Sequence, residues 1–451
     1  NRKCGGGLMS FFLLGILNSQ ASGGAVYAPN PTWVSLYDGA TNGVVDAFTV
    51  FAMAADANGD VWRMGYQESV SSSDLIITKS DANGVFIDGR KYQLTLSITF
   101  SDLMDITFDG NGVPIIWCYY SVNNGSQFAM RLQSLTDLTD NWMGRYERNV
   151  AGYNSPQDFK YLPGPNYIVS VGAKQFEPCI WWFTPNTGLF QFSRYLIGNN
   201  YEAFSAVGMF ADYESKAVGY DYRTSDSRYR GLVSNWNNNG LMNDHQIVEK
   251  GTLDVEARAS FGMGTNSYVA FRTSSPSVLV RKYQQFGSTA GVWTKEITDS
   301  ETFNGYTLGM TVDTSNNSYT VVGIGSSKLL IVKLDTSGNT VWIRKVTVPN
   351  IRGNLRGSSV KWSNNRLYIT FGYALVMKDD GTQDGTYPLI ALTTDDIIIE
   401  TPTTTTVTNA TGVTTTNGTM YQTGGDIQKS GNGKSDVAIS DPGQAIVYLK
   451  P

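Results

Sequence analysis

Short apolar runs alternate along most of this chain with clusters of Asp, Asn, Gly and Ser, and the same order of signals returns again and again. In Asp56-Ala-Asn-Gly-Asp60-Val-Trp-Arg-Met-Gly65 a turn cluster leads into a β-branched and aromatic run that ends at glycine. Asp313-Thr-Ser-Asn-Asn-Ser-Tyr-Thr-Val-Val-Gly323 repeats that order. Each is followed by a second strand–turn unit, Leu75-Ile-Ile-Thr-Lys-Ser-Asp-Ala-Asn-Gly84 and Leu329-Leu-Ile-Val-Lys-Leu-Asp-Thr-Ser-Gly338-Asn-Thr-Val-Trp342. Runs of this length, bounded by residues that tolerate positive φ, predict strands joined by tight hairpins. No stretch carries a helical period.

Seven copies of the first hairpin can be followed between Asp46 and Thr394. They centre on Asp56, Asp109, Pro163, Asp212, Gly264, Asp313 and Ser363, so the steps are 53, 54, 49, 52, 49 and 50 residues. A period of this size with four short strands per copy is the signature of a β-propeller blade. The expected fold is all-β: a single propeller, seven four-stranded blades, with six or eight as the alternatives. Trp33-Val-Ser-Leu-Tyr37 reads as a lone strand. An early strand without a local partner completes the last blade of a ring and removes an exposed edge.

The pattern changes at both ends, which divides the chain into 1–31, 32–394 and 395–451. The first segment pairs a short basic start with the apolar run Leu8, Phe11, Phe12, Leu13, Leu14, Ile16 and Leu17, then Gly, Ala and Pro. Its order resembles a secretory signal, and its apolar core is too short to span a bilayer. The expectation is a retained segment that docks against a partner through those seven residues, with an uncleaved or heterologous signal as the alternative. The last segment is rich in Thr and Gly and ends in the apolar Gln444-Ala-Ile-Val-Tyr-Leu449. Thr at that density favours extended backbone, so an ordered strand-forming extension is expected.

Composition narrows the chemistry. Charged residues are 16% of the chain and the formal net charge is −5, against roughly 25% charged residues in ordinary soluble domains. No dense Lys/Arg run marks a nucleic-acid footprint. The three cysteines, Cys4, Cys118 and Cys179, lack metal-type spacing; Cys118–Cys179 reads as either a disulfide between neighbouring blades or two buried thiols. A single histidine, His245, expected on a loop at a blade edge, argues against a zinc site or a His-based triad.

The tempting motifs resolve into scaffold. Asp56-Ala-Asn-Gly-Asp60 and Asp81-Ala-Asn-Gly84 lack the spacing, distal Glu and helices of a calcium loop and read as hairpin turns. Gln428 stands where a phosphate-binding loop ending at Gly433-Lys-Ser435 needs glycine. Asp379/Asp380 and Asp395/Asp396, adjacent on extended chain, read as solvated turns. Trp117, Trp181, Trp182, Tyr220, Tyr222 and Trp236 are expected mainly as wedges between blades, with stacking on sugars or anchoring of a partner as the other role. No catalytic, cofactor or metal residue is expected.

Asp313–Gly323 and Leu329–Gly338 resemble the bacterial seven-bladed propeller repeat of secreted proteins, and the turns at Gly338-Asn-Thr-Val-Trp342 and Ala290-Gly-Val-Trp293 resemble quinoprotein-like blades without their cofactor residues. This resemblance implies fold alone. The whole chain, polar, cysteine-poor and β-rich between atypical ends, is similar to tailed-phage virion components. That similarity implies a non-enzymatic structural protein of the virion tail, docked by its terminal arms among other tail subunits as a homo-oligomer, contributing to host attachment through a receptor or glycan. The alternative is a secreted or surface-bound bacterial propeller binding carbohydrate or protein. Neither reading involves a cofactor, nucleic acid or a stable membrane span.

Overall fold

The computed structural model describes residues 33–35, 49–68, 73–84, 86–92, 99–121, 126–132, 140–146, 154–162, 166–174, 177–185, 190–197, 202–210, 214–263, 266–284, 291–325, 327–347, 360–371, 374–382, 384–390, 396–417, 421–423, 436–438 and 446–449. Every regular element among them is a β-strand. Copy four shows the unit clearly. Glu202–Phe210, Glu214–Arg223, Arg228–Asn237 and Met242–Lys250 pair antiparallel in chain order.

The turns use the chemistry expected of them. At Asp56, Asp109, Asn237, Asp313 and Asp335 the side-chain Oδ1 accepts from the backbone N–H groups two and four residues on. Gly59, Gly112, Gly240, Asn316 and Gly338 then take the positive φ that closes each turn. Asp56 also accepts from Trp62 Nε1 at 3.1 Å and pairs with Lys79 at 3.2 Å. Its oxygens are committed to holding a hairpin. Asp379 departs from the expected solvated turn: it is half-buried and accepts from Trp362 Nε1 at 2.8 Å and Tyr319 Oη at 3.2 Å.

The innermost strands of the seven copies are Thr49–Ala55, Thr99–Phe108, Asn154–Leu162, Glu202–Phe210, Val255–Met263, Phe303–Val312 and Val360–Ser363. All of them contribute to the wall of one axial cavity, so the copies stand around a common axis. The buried clusters lie between neighbouring copies. Val169 and Trp182 of copy three pack with Phe204, Leu232 and Trp236 of copy four. Val50 and Met53 of copy one pack with Tyr368 and Val376 of copy seven, which closes the ring.

The described strands form six sheets, where the repeat predicts seven separate blades. The difference arises at the closure. Trp33–Ser35 pairs antiparallel with Ala374–Lys378 of copy seven, as the lone-strand reading expects. It also runs parallel to Gly385–Ile390, which pairs with Asp396–Glu400, which pairs in turn with Thr340–Thr347 of copy six. Copies six and seven thereby merge into a ten-stranded sheet, while each of the other five copies lies in a five-stranded one.

The fifth strands come from the Thr-rich extension, which runs backwards around the ring. Thr406–Asn409 adds to copy five, Val413–Asn417 to copy four, Tyr421–Thr423 to copy three, Asp436–Ala438 to copy two and Ile446–Leu449 to copy one. Val407, Ala410 and Val413 turn towards the sheets, and Thr406, Thr408, Thr414 and Thr416 face outward. The extension is expected as a docking arm; its described strands instead strap the chain's own blades and cover the outer edges.

Neighbouring copies are latched near the turns. Trp293 Nε1 and Lys282 Nζ donate to the Thr336 carbonyl at 3.1 and 2.9 Å. One copy on, Trp342 Nε1 donates to the Asp379 carbonyl at 2.9 Å. Glycine is required beside these indoles: a Cβ on Gly381 would meet the Trp342 ring at 2.7 Å. At the closure Arg366 Nη1 donates to the Ala82 carbonyl at 2.9 Å.

Candidate functional site

Most residues singled out in the sequence are scaffold. Trp117, Trp181, Trp182 and Trp236 are buried, as expected of wedges between blades. Cys118 and Cys179 are buried thiols rather than a disulfide, and burial pushes the Cys118 thiol up. His245 is not on a loop but within the outer strand Met242–Lys250, opposite Ser234. Leu8, Phe11, Phe12, Leu13, Leu14, Ile16 and Leu17 lie outside the described residues.

Tyr220 and Tyr222 are half-buried rather than buried. They stand on the second strand of copy four, which runs with the third into a hairpin closed by Thr224, Ser225, Asp226 and Ser227, all exposed. Tyr222 faces Tyr229 across the pair, and because strand side chains alternate, Tyr220 shares their face. The Tyr229 ring lies 5.3 Å from Tyr220 and 5.0 Å from Tyr222. Tyr229 is itself 36% exposed.

Arginines frame these rings. Arg223 and Arg228 lie opposite each other, and Asp226 joins them: Arg223 Nε donates to Oδ1 at 2.9 Å and Arg228 Nε to Oδ2 at 2.7 Å. These bonds hold the Asp226 carboxyl well below its ordinary range, Arg223 contributing most. Glu249 lies 3.3 Å from Arg223, Arg230 pairs with Asp221, and Arg258 pairs with Glu256 while lying 5.8 Å over the Tyr220 ring. Arg228 Nη1 donates to the Gly251 carbonyl at 2.7 Å, and Tyr229 N donates to Asp254 Oδ1 at 3.0 Å. The hairpin is therefore rigid, with the tyrosine rings and Arg258 on one side and Arg223, Arg228 and Arg230 on the other, each of these arginines matched by a carboxylate. The signal was present as Tyr-Asp-Tyr-Arg and Arg-Tyr-Arg either side of a polar turn, but alternation alone does not reveal which end of a sheet protrudes.

A second concentration of charge lies at the axis. Lys160 of copy three sits 3.0 Å from Asp105 of copy two and 3.5 Å from Asp158. Lys361 of copy seven donates to Asp105 and to the Ile106 carbonyl, and Val207 N of copy four donates to Asp158 at 2.9 Å. Four inner strands are tied together by this quartet. Burial pushes the Asp158 carboxyl up. Burial also pulls on both lysines, but Asp105 and Asp158 outweigh it at Lys160, which is raised, and not at Lys361, which is lowered.

No protein-family model and no curated protein sequence matches the chain. Solved structures do. The chain is similar to Drosophila Semaphorin 2a at 7% identity and a TM-score of 0.44, over 78% of this chain and 76% of that one. It is similar to the Plexin A4 extracellular region at 10% identity and a TM-score of 0.43, and spans about half (51%) of the plexin chain. An uncharacterized protein of Listeria monocytogenes EGD-e matches at 8% identity and a TM-score of 0.41, over 72% of this chain and 89% of that one. Likeness at this level adds nothing to the functional argument. Among the described residues no helix is long and apolar enough to cross a membrane.

Proposed function

We propose that the chain is a non-catalytic binding propeller that docks a protein partner on the Tyr/Arg hairpin face of copy four. The observation that carries this is the ordering of Tyr220, Tyr222 and Tyr229 among arginines already fixed by carboxylates. Tyr and Arg are enriched among the few residues that dominate binding at protein interfaces, and side chains held in place beforehand lose little entropy on binding. The axial carboxylates and lysines neutralise one another, which supports a scaffold role for them rather than acid–base chemistry.

The finer reading is a structural component of a tailed-phage virion tail, located in the particle and assembled with other tail subunits as a homo-oligomer. It rests on the polar, cysteine-poor, β-rich composition between atypical ends. Of the two terminal arms it invokes, the N-terminal one remains its docking element, because the described strands of the C-terminal one are engaged by the ring. The secreted, ligand-binding propeller is its alternative.

The test is the double substitution Tyr222→Ala/Tyr229→Ala in the source cell. Its incorporation into the native assembly should fall by at least about tenfold, the loss expected for interface anchors, while the thermal midpoint of the purified protein stays in place. Unchanged incorporation overturns the reading.

A further inference from the structure

The axial cavity has a volume of about 300 Å3, at the small end of the range for ligand sites. Its wall has two characters. Phe108, Tyr161, Phe261 and Trp362 supply rings, and Ala54, Ala55, Gly208 and Gly262 leave the space between them open. Its ionisable chains besides Tyr161 are Lys160 and Lys361. Their counter-charges, Asp105 and Asp158, lie behind the wall, 0% and 1% exposed. The polar groups met by anything entering are therefore ammonium donors, their charge balanced by carboxylates behind them.

Donors remain on that wall. An ammonium has three N–H groups, and the acceptors around each lysine account for two: Asp105 and Asp158 at Lys160, Asp105 and the Ile106 carbonyl at Lys361. Thr311, on the inner strand of copy six beside that of copy seven, also lines the cavity. It is fully buried and its Oγ1 has no hydrogen-bond partner. At 0% exposure that hydroxyl, like Asp105, lies behind the wall and is not offered to a ligand in the cavity.

We propose that the axial cavity binds a small organic carboxylate, its oxygens accepting from Lys160 and Lys361 and its apolar body lying against Phe108, Phe261 and Trp362. The aromatic wall favours an organic anion over a bare inorganic one, and the volume limits it to a single ring or short chain. The site opens at the end of the ring where the first and second strands of each copy meet, opposite the Tyr/Arg hairpin, and it stands independently of the docking proposal.

Isothermal titration of the full chain tests this with benzoate, benzyl alcohol and inorganic phosphate as probes. Benzoate should bind once per chain with a dissociation constant below about 1 mM, and each of the other two at least about tenfold more weakly. Lys361→Met should weaken benzoate about tenfold, and Ala54→Leu should abolish binding by filling the cavity. If Lys361→Met fails to fold, Ala54→Leu decides. Benzoate binding no tighter than benzyl alcohol or phosphate overturns the proposal. So does benzoate affinity unchanged in Ala54→Leu.

Discussion

Lys216 shows how far a single residue can couple this ring to pH. It is fully buried between copies four and five, with its ammonium 4.3 Å over the Tyr283 ring. Burial pulls it down to about 7 against the opposing pull of Asp244 and Glu214, and Arg281 adds to the fall. In the unfolded chain the same amine keeps its proton up to its ordinary 10.5. Between those values the unfolded state binds more protons, so stability rises as pH is raised from about 7 to about 10.5 and is lowest below that window. Urea titrations from pH 6 to 10 should show wild type gaining on Lys216→Met by up to ~1.4 kcal/mol per pH unit. Parallel pH profiles would show that Lys216 stays charged in the fold. At this scale the sequence was readable where chemistry is local. An Asp followed by Gly or Asn announces its own turn, whereas the environment of Lys216 depends on residues more than sixty positions away, at Tyr283 and Arg281.

The elements hold together by latches and by the strap, and each makes a measurable claim. Gly112 and Gly381 both adopt positive φ, +75° and +73°, but only Gly381 has an indole pressed against it. Either change to Ala incurs the left-handed penalty of about 1–2 kcal/mol, and Gly381→Ala adds an overpacking cost of about 1–3 kcal/mol. Equal losses in denaturant titrations would remove the Trp342 latch from the account. Truncation after Glu400 strips the fifth strand from copies one to five. The shortened chain should associate through its bared edges, seen as a rise in light scattering at concentrations where the full chain is monodisperse. A monodisperse truncate of unchanged thermal midpoint would show the strap to be dispensable. The strap's extended character was legible in its Thr residues, but its path was not. Which edge a Thr-rich strand joins is set by the ring it meets, and the alternation at Val407, Ala410 and Val413 is common to any half-buried strand. The merging of copies six and seven escaped for the same reason, since it depends on the parallel pairing of Trp33–Ser35 with Gly385–Ile390.

At the scale of the whole molecule, the ring separates two faces. One carries the Tyr/Arg hairpin, with Tyr229 exposed; the other carries the turn after the third strand of copy four, with Leu241 52% exposed. Repeat spacing was enough to foresee a closed β-ring, because seven near-equal steps leave the inner strands nowhere else to go. It could not single out the hairpin, since Tyr220 and Tyr222 read the same whether fully wedged between blades or half-buried at a hairpin. Docking on the hairpin face is the central claim, and a photo-crosslinking side chain placed at either Tyr229 or Leu241 in the source cell tests it with an internal control. The account predicts a discrete crosslinked partner from position 229 and none from position 241. A crosslink from 241 with none from 229 would contradict it.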